Sequence, residues 1–400
     1  MNGTTNGHLP TKQRAAQFHP KDKSVHINEI PVRTAHTPTP STITDTKACS
    51  QIPTIKPDEI LVKVRAASLC HSDLMLFEPN EQGLVLGEGD PFTMGHEACG
   101  TVVEVGAGAK GFKKGDKLGW LPIVDCCFDC EECQIHNLYC ERGESKVQGM
   151  TVDGMPTVLD LVEKVADHNV SVSGYFQEYC AIKWRNAVRI PDDMDLDTCA
   201  PLFCAGCTAF NAVTDTLAEL PGEPNSTWVA VIGCGGLGHL AIQYLKAYGY
   251  RVIGIDLSAD ALAEATASGA NHVFNPKSDA DYIRQVREIT GKGCHAAINV
   301  TNSVPAYSST PQLLRMNGVL MVTGIPQSPL QFQAMDISMN RIRVRGSNNG
   351  TTPRLEKCVE FSHEHGIRPR VTQFKLDEFE EMLKLMESGK HKGRLGVLFD

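Results

Sequence analysis

The pattern of apolar positions changes near residue 205 and divides the chain into two parts. In the second part, Trp228–Ile232 is continuously apolar, which is typical of a strand buried on both faces of a sheet. Helical and extended periods then alternate, at His239–Tyr248 (helix), Arg251–Asp256 (strand), Ala259–Ser268 (helix), His295–Val300 (strand) and Val319–Thr323 (strand). Strands that alternate with helices predict an α/β fold with a doubly wound parallel sheet of the Rossmann type.

The first part has the pattern of a β-rich unit. Ile60–Ala67 is β-branched and partly alternating, and Gly100–Gly106 is an apolar run bounded by glycines, so both are predicted strands. Thr34–Thr54 is rich in Thr, Pro and Ser, which predicts an exposed loop. Residues 1–12 are mostly polar and are predicted to form a disordered tail, and from Arg341 onward the pattern becomes mixed again.

Composition narrows the class of protein. Hydrophobic residues make up 42% of the chain and charged residues 21%, as is ordinary for a globular enzyme. The net charge of −9 argues against a nucleic-acid partner, because phosphate binding needs clustered Lys and Arg. No apolar run approaches the roughly 20 residues of a membrane span, and the N-terminal segment lacks the apolar core of a secretory signal. We therefore expect a cytoplasmic protein with reduced cysteines and no membrane association.

A glycine cluster joins the first strand of the second part to its helix. Gly233, Gly235 and Gly238 form the pattern G-x-G-x-x-G, with Gly236 and Leu237 between them. In this setting the glycines permit a tight turn, a close approach to a pyrophosphate and close packing of helix on strand. The helix N-terminus adds free N–H groups that face the phosphates. The pattern predicts a dinucleotide site.

The end of the next strand bears on which dinucleotide binds. Asp256 lies 21 residues after Gly235, where a carboxylate binds the ribose hydroxyls and repels a 2′-phosphate. The next cationic residue along the chain is Lys277. The cofactor is therefore expected to be NAD rather than NADP. A plain helix cap is the other role open to Asp256, and the two roles are compatible.

Four of the 15 cysteines form a compact run, Cys127-x2-Cys130-x2-Cys133-x6-Cys140. Thiolates at two-residue gaps converge on one metal ion, and four of them fill a tetrahedral zinc shell with no open position. The run therefore predicts a structural zinc site. Reduced loop cysteines are the alternative, and a disulfide framework fits less well because the cysteine count is odd and no signal peptide is predicted.

Three further segments carry metal-binding residue types. Cys70-His71-Ser72-Asp73 follows the strand predicted at Ile60–Ala67, and Gly95-His96-Glu97 precedes the one at Gly100–Gly106. Cys204 lies in Leu202–Gly206, just before the second part of the chain. These segments are too far apart for spacing to join them. Taken singly, Cys70 and Cys204 are equally well explained as core residues and His96 as a loop histidine.

Together these segments resemble the zinc-containing medium-chain dehydrogenases, the alcohol dehydrogenases of the yeast and horse-liver type. Gly95–Ala109 matches the family's zinc signature, G-H-E-x2-G-x5-G-x2 followed by a small residue. Cys70–Asp73 and Leu202–Gly206 match its other two metal segments in the same order, and the four-cysteine run matches its structural zinc lobe. The resemblance extends from about Gln13 to the C-terminus.

The resemblance implies a role for each matching residue. The catalytic zinc would be held by Cys70, His96 and Cys204, with Glu97 beside it. The structural zinc would be held by Cys127, Cys130, Cys133 and Cys140. Asp73 would orient the metal histidine, and Ser72 would hydrogen-bond the substrate oxygen. Thr208 and the backbone of Thr323–Ile325 would face the nicotinamide, and His71 and Arg394 the cofactor phosphates.

The resemblance also implies the architecture and the reaction. A GroES-like catalytic domain at residues 13–205, with a zinc lobe at about 120–145, would be followed by an NAD-binding domain at 206–340 and a return to the catalytic domain at 341–400. The enzyme would transfer hydride between an alcohol, or the aldehyde or ketone in reverse, and NAD, with two zinc ions per chain and a small-molecule substrate. We expect a homo-oligomer, either a dimer or a tetramer.

Four departures from the family pattern bear on these expectations. The gap before Cys140 is one residue shorter than usual, and the neighbouring Cys126 makes a shifted ligand set possible. Met75 stands where the family often has a proton-relay histidine, so the relay would end at Ser72, His71 or water. Insertions at 34–50 and 151–173 favour a larger or unusual alcohol, as in a specialised biosynthetic pathway, although neutral surface loops explain them equally well.

Three alternatives remain open at this point. Trp120 either lines the substrate pocket or is a core aromatic residue. The chain could be an NADP-linked polyol or cinnamyl-type dehydrogenase, against which Asp256 counts. It could also be a non-catalytic NAD-binding protein on the same fold, against which the complete set of metal-ligand residues counts.

Overall fold

The computed structural model describes residues 9–32, 55–77, 91–124, 126–135, 140, 146–147, 174–326 and 328–400. The strands are β1 Lys12–His19, β2 Ser24–Pro31, β3 Glu59–Leu69, β4 Phe92–Thr93, β5 Glu97–Val105, β6 Lys117–Trp120, β7 Ile123–Val124, β8 Lys146–Val147, β9 Tyr179–Lys183, β10 Ala187–Arg189, β11 Trp228–Ile232, β12 Arg251–Ile255, β13 His272–Phe274, β14 Cys294–Asn299, β15 Leu314–Val322, β16 Ile342–Gly346, β17 Val371–Phe374 and β18 Arg394–Leu398. The helices are α1 Glu131–Ile135, α2 Leu196–Cys199, α3 Ala205–Ala218, α4 Gly238–Ala247, α5 Ala259–Ala267, α6 Tyr282–Thr290, α7 Val304–Leu313, α8 Ala334–Ser338, α9 Thr352–Glu364 and α10 Phe379–Ser388.

The elements before α3, together with β17 and β18, form a first unit, which corresponds to the catalytic domain that the resemblance implies and is called the catalytic half. It is built on a mostly antiparallel sheet with the order β10-β6-β5-β3-β18-β17, and β9 also pairs with β3. A second sheet, β2-β1-β4, lies beside it. Their inward-facing residues form one apolar core, to which Phe18, Trp120 and Phe379 contribute large buried rings. This core gives β3 and β5 a rigid support, and both strands lead to the metal-binding residue types of the first part.

The strands β11 to β16 and the helices between them form the second unit, called the cofactor half because it contains the predicted dinucleotide site. Its sheet is six-stranded and parallel, with the order β13-β12-β11-β14-β15-β16. The chain leaves β11 toward one edge through β12 and β13, and returns to the other side of β11 at β14. The carboxyl ends of β11 and β14 therefore flank a switch point, where a doubly wound sheet leaves a crevice for a ligand. The fold class expected from the sequence is confirmed.

Two expected boundaries differ from the observed ones. The parallel sheet does not stop at residue 340, because Ile342–Gly346 pairs with β15 along its whole length. The chain returns to the catalytic sheet only at β17 and β18, of which β18 pairs antiparallel with β3. At the other end, Lys12 already belongs to β1, so the expected tail is shorter on its C-terminal side.

Several expectations fall outside the described residues. These are the segments 1–8, 34–50 and 151–173. Among the described residues no single helix is long and apolar enough to cross a membrane. One pair of consecutive helical segments is long and apolar enough only when its two members are counted together, and the two are bent by 54° relative to each other: Leu196–Phe203 and Ala205–Ala218.

Candidate active site

The register of β3 against β5 brings two distant sequence segments together. Ser68 pairs with Glu97 in this antiparallel ladder. Cys70, just after β3, therefore lies next to His96, just before β5. Both residues are buried.

Cys204 immediately precedes α3 and lies beside Cys70 and His96. The short 3-10 helix Ala200–Phe203 lies against β6, where a Cβ on Gly119 would be 2.0 Å from the Phe203 ring. Only glycine leaves room for that ring. The donor atoms of Cys70, His96, Glu97 and Cys204 all lie within 4.8 Å of one another. Two thiols, one imidazole and an adjacent carboxylate match the donor set that zinc prefers at catalytic sites.

Asp73 fixes the orientation of the histidine in this cluster. Its Oδ1 accepts a hydrogen bond from His96 Nδ1 at 2.9 Å, and its Oδ2 accepts one from the Cys70 backbone N–H at 2.8 Å. With Nδ1 acting as the donor, His96 Nε2 keeps its lone pair on the side of the thiols. A carboxylate on the far nitrogen is the usual support of a metal-binding histidine. The residues therefore fit a zinc ion.

The two thiols of the cluster differ in their acidity. The Cys204 thiol lies against Cys70 and, with Arg394 and His96 nearby, holds the pKa of Cys70 well below its ordinary value. The same contact, together with burial, raises the pKa of Cys204. One thiolate is thus already favoured in the cluster, which suits a site that binds a cation.

Glu97 is enclosed between a hydroxyl and a guanidinium group. Ser68 Oγ donates to its Oε2, and Arg394 donates to its Oε1 at 2.5 Å. Burial raises the pKa of Glu97 to about 7, against the opposing effect of Arg394. Ser68 has no signal in the sequence, because a serine within a strand is a common residue and only the register identifies its partner.

Ser72 and His71 occupy the turn that follows Cys70. Ser72 Oγ lies 3.3 Å from His96 Nε2, at the edge of the cluster. His71 is exposed, and its Nε2 lies 3.4 Å from Asn302 Nδ2 of the cofactor half. His71 therefore borders the cleft between the two halves, and Asn302 is a cleft residue that sequence patterns do not reveal.

The glycine cluster forms a tight turn between β11 and α4. Gly233 has φ +89°, a conformation that glycine adopts without strain. A Cβ on Gly238 would lie 1.8 Å from the Gly233 carbonyl oxygen, whereas a Cβ on Gly235 would have no atom within 4 Å. The turn thus leaves open space above Gly235, as a bound pyrophosphate requires. Leu237 precedes the first residue of α4.

Asp256 is held by this turn. Its Oδ2 accepts a hydrogen bond from the Cys234 N–H at 2.7 Å, and its Oδ1 accepts one from the Ser258 N–H at 2.8 Å. The N-cap of α5 is Ser258, whose hydroxyl accepts the Ala261 N–H, while Asp256 accepts the N–H of this capping residue and none from inside the helix. The helix-cap role considered for Asp256 therefore belongs to Ser258.

Thr208 and the segment Thr323–Ile325 are the remaining cofactor candidates. Thr208 is buried in the first turn of α3, where its N–H donates to the Cys204 carbonyl at 2.9 Å. Thr323 follows β15 and is also buried, and its Oγ1 has no partner among the described residues. Ile325 is 62% exposed. Trp120, in contrast, is fully buried against Tyr175 at a centroid distance of 5.1 Å, which favours its interpretation as a core residue.

The four-cysteine run forms a second cluster in a separate lobe. The Sγ atoms of Cys127, Cys130, Cys133 and Cys140 lie within 4.8 Å of one another. The Cys127 N–H points to Cys140 Sγ at 3.2 Å, and the Cys133 N–H to Cys130 Sγ at 3.4 Å. The shortened gap therefore still allows Cys140 to converge with the others. Cys127 rather than Cys126 completes the set, while Cys126 packs against it.

Comparison with known proteins agrees with this architecture. Residues 56–192 match the family described as alcohol dehydrogenase GroES-like domain, and residues 236–364 the family described as zinc-binding dehydrogenase. The chain is 33% identical over 346 residues to an alcohol dehydrogenase of Geobacillus stearothermophilus, which covers 86% of this chain and 92% of that protein. This chain belongs to the zinc-containing medium-chain dehydrogenase family. The expected family is thus confirmed.

Other members of the family show the same full-length likeness. An alcohol dehydrogenase of a Moraxella species is 31% identical, over 86% of this chain and 93% of its own length. The crystal structure of the alcohol dehydrogenase from the archaeon Aeropyrum pernix superposes with a TM-score of 0.75 at 28% identity, over 96% of this chain and all of that one. Both halves of the chain therefore match these relatives together.

Proposed function

We propose that this protein is an alcohol dehydrogenase that transfers hydride between an alcohol and NAD, or from NADH to the aldehyde or ketone in reverse. The observation that carries the proposal is the cluster of Cys70, His96 and Cys204, which borders the cleft of a dinucleotide-binding fold. The names of the relatives described above support the same substrate class.

The roles of the residues follow from their positions. A zinc ion held by Cys70, His96 and Cys204 would supply a Lewis acid that lowers the pKa of the substrate hydroxyl. Ser72, whose Oγ lies 3.3 Å from His96 Nε2 at the edge of the cluster, would accept the proton of that hydroxyl and release its own hydroxyl proton at the same time. His71 or water passes the proton on to solvent, because Met75 cannot carry one. Asp73 keeps His96 in its orientation through a hydrogen bond. Glu97 lies beside the cluster, where it accepts a hydrogen bond from Arg394.

The preference for NAD rests on Asp256. Its carboxylate is fixed by two backbone N–H groups at the end of β12. A fixed negative charge at this place binds ribose hydroxyls and repels the additional phosphate of NADP. His71 and Arg394 would contact the cofactor phosphates, and Thr208 and the segment Thr323–Ile325 would face the nicotinamide.

The second metal site is proposed to be structural. Four convergent cysteine thiolates leave no open position for a substrate. We therefore expect two zinc ions per chain, one at each cluster. All described cysteines are free thiols, which both sites require and which supports a reducing, cytoplasmic location.

The central experiment combines a substrate panel with metal analysis. Small and bulky alcohols and their aldehydes are tested with NAD and with NADP by the absorbance of the reduced cofactor, and zinc per chain is measured by mass spectrometry. We expect turnover with NAD and two zinc equivalents. A preference for NADP would favour the polyol or cinnamyl-type alternative, and a preference for bulky alcohols would favour a specialised pathway.

A matched pair of cysteine variants tests the catalytic cluster. Cys204→Ala should lose one zinc equivalent and at least about a hundredfold in kcat while the cofactor still binds. Cys294→Ala removes a buried thiol from β14, away from both cysteine clusters, and should keep both zinc ions and full activity. Unchanged turnover in Cys204→Ala would contradict the assigned site and leave the non-catalytic alternative standing.

We also propose that the protein is a homo-oligomer, with β16 and the neighbouring apolar surface in the interface. Met316, Met335 and Met339 are 71%, 75% and 72% exposed, and they lie close together because the Asn317 N–H donates to the Arg341 carbonyl and the Arg341 N–H to the Asp336 carbonyl. Exposed apolar side chains beside an edge strand favour pairing with a second copy. The double variant Met335→Lys, Met339→Lys should reduce the mass measured by light scattering, whereas Ile135→Lys, at another exposed apolar position, should not.

A further inference from the structure

The segment Trp184–Asn186 lies between the catalytic sheet and the four-cysteine lobe. It is a single 3-10 turn that joins β9 to β10. The sequence gives it no role, and the reaction proposed above does not use it. Its contacts nevertheless lead directly to the lobe.

Asn186 holds the strand that enters the lobe. It is 1% exposed, and its Nδ2 donates to the carbonyl oxygens of Leu121, at 3.2 Å, and Ile123. Its own carbonyl accepts the Leu121 N–H at 3.1 Å. The chain is therefore fixed on the sheet just before it turns into the lobe.

Arg185 contacts the first ligand of the lobe. Its Nη1 donates a hydrogen bond to the Cys127 carbonyl oxygen at 3.3 Å. Its guanidinium carbon lies 5.8 Å from the centre of the Phe128 ring and 5.5 Å from that of Trp184, within the range of cation–π contacts. The guanidinium thus lies near two aromatic rings while it binds the peptide between Cys127 and Phe128.

Phe128 has a backbone conformation that needs such support. Its φ is +66°, a left-handed conformation that is strained for a residue other than glycine. This conformation turns the chain between Cys127 and Cys130, so that both sulfurs face the same point. A contact that holds Phe128 in place therefore also holds the first two thiols in place.

The charge of Arg185 is suited to the same purpose. A zinc ion with four thiolates carries net negative charge, because four thiolates outweigh one divalent cation. Lys183 is close by, but it pairs with Asp58 at 2.8 Å and lies 3.8 Å from Glu59. Arg185 is the cation whose described contacts reach the lobe itself.

We propose that Arg185 is a positioning residue for the structural zinc: it holds the Cys127–Cys130 turn on the catalytic sheet and slows loss of the ion. The inference rests on the structural zinc site proposed above. Removal of Arg185 frees the Cys127 carbonyl and the Phe128 ring, so that the turn opens and the ion leaves faster. The catalytic cluster is bound by other elements and is unaffected.

The test is the rate at which zinc passes to a chromogenic chelator, measured in the Cys204→Ala protein, where the lobe ion is the one expected to remain. Arg185→Gln should release it about tenfold faster, which corresponds to about 1.4 kcal/mol. Arg185→Lys, which keeps the positive charge over the rings, should restore most of the difference. Arg189→Gln is the matched control, because Arg189 also contacts a ring, Phe112 at 5.2 Å, and a carboxylate, Asp116 at 2.7 Å, but not the lobe.

The outcomes separate the two proposals. If the Cys204→Ala protein contains no zinc, the structural site itself is wrong and the role of Arg185 is wrong with it. If zinc is present but leaves Arg185→Gln at the rate of the parent protein, the site stands and the role of Arg185 is overturned. Equal acceleration in Arg189→Gln would also overturn it, since any surface arginine would then have the same effect.

Discussion

Arg394 lies directly over Gly236 of the glycine-rich turn. A Cβ on Gly236 would be 2.6 Å from Arg394 Cδ and 2.9 Å from Arg394 Nη1. Arg394 comes from the catalytic half and also donates to Glu97 beside the metal-ligand cluster. This one side chain therefore joins the dinucleotide turn to the catalytic cluster, and Gly236 is a glycine because Arg394 needs the space.

Gly236→Ala should disturb the protein even when no cofactor is bound. The added methyl group displaces Arg394 from Glu97, and forced overpacking of this kind costs about 1–3 kcal/mol. We expect a lower free energy of unfolding for the cofactor-free protein, measured by denaturant titration, together with weaker NADH binding, measured by fluorescence.

Gly235→Ala is the comparison for that experiment. A Cβ at Gly235 would meet nothing within 4 Å, so the cofactor-free protein should keep its stability within about 0.5 kcal/mol. NADH binding should still weaken, because the methyl group would occupy the space left for the pyrophosphate. Equal stability loss in both variants would show that Arg394 does not depend on Gly236.

Asp73→Asn should weaken the metal site without touching a ligand atom. The carboxylate accepts from both His96 Nδ1 and the Cys70 N–H, and an amide can accept only through its one oxygen. Loss of such a partner usually costs about 10–100-fold in metal affinity. Zinc occupancy under competition with a chelator measures the effect.

Asp116→Asn provides a control for this substitution. Asp116 likewise accepts the N–H of the residue three positions earlier, Lys113, at 2.8 Å, but its side-chain partner is Arg189 rather than a residue of the cluster. It should leave zinc occupancy unchanged. If Asp73→Asn also retained its zinc under the chelator, the proposed orienting role of Asp73 would be wrong.

Asp256→Asn should reduce the discrimination between the two cofactors. It removes the charge that repels a 2′-phosphate and sets an amide NH2 against one of two backbone N–H donors. We expect the ratio of kcat/KM for NAD to that for NADP to fall at least about tenfold, or about 1.4 kcal/mol. Asp195→Asn alters a carboxylate that accepts the Asp197 N–H elsewhere and should leave this ratio constant.

The stability of the protein should fall in mild acid because of His239. This residue is fully buried, its Nδ1–H donates to the Gly235 carbonyl at 3.0 Å, and its Nε2 accepts the Arg370 N–H at 3.2 Å. Both ring nitrogens are therefore used by the neutral form, and burial lowers the pKa of His239 below its ordinary value of 6.5. The unfolded chain takes up the proton more readily than the folded one.

The sign of the effect follows from that difference. Well above pH 6.5 the histidine is neutral in both states and has no influence on the pH dependence. As the pH falls below 6.5 toward the folded-state pKa, stability is lost at up to about 1.4 kcal/mol per pH unit. His239→Gln should be less stable at neutral pH but should lack this share of the slope. A constant difference between the two proteins from pH 8 to 5.5, measured by denaturant titration, would contradict the assignment.

The cofactor half was predictable from the sequence because its signals are local. The apolar run Trp228–Ile232 is β11, and the glycines that follow it need only their own turn to be recognised. The last strand of the sheet, β16, was not predicted, because Arg343 and Arg345 interrupt its apolar pattern. Both arginines bind Glu219, at 2.7 and 2.8 Å, so an edge strand with charged residues is stabilised by a partner that no local pattern shows.

The catalytic cluster could be predicted only through family resemblance. Cys70 and His96 meet because of the register of β3 and β5, and this ladder contains two irregularities, between Leu61 and Val62 and between Val64 and Ala66. Each irregularity shifts the pairing, so that sequence spacing does not tell which residues face each other. The third thiol depends on the packing of the Phe203 ring on Gly119, which is equally invisible in the sequence.

The position of β18 has a consequence for how the protein is made. This strand follows the whole cofactor half in the sequence, yet it occupies an interior place in the catalytic sheet, beside β3, and carries Arg394 to the cluster. When the ribosome has translated the whole cofactor half, the strand that completes the sheet of the catalytic half has not yet been synthesised. The parallel sheet can form while synthesis continues, but the catalytic sheet is completed only after the cofactor half has been made.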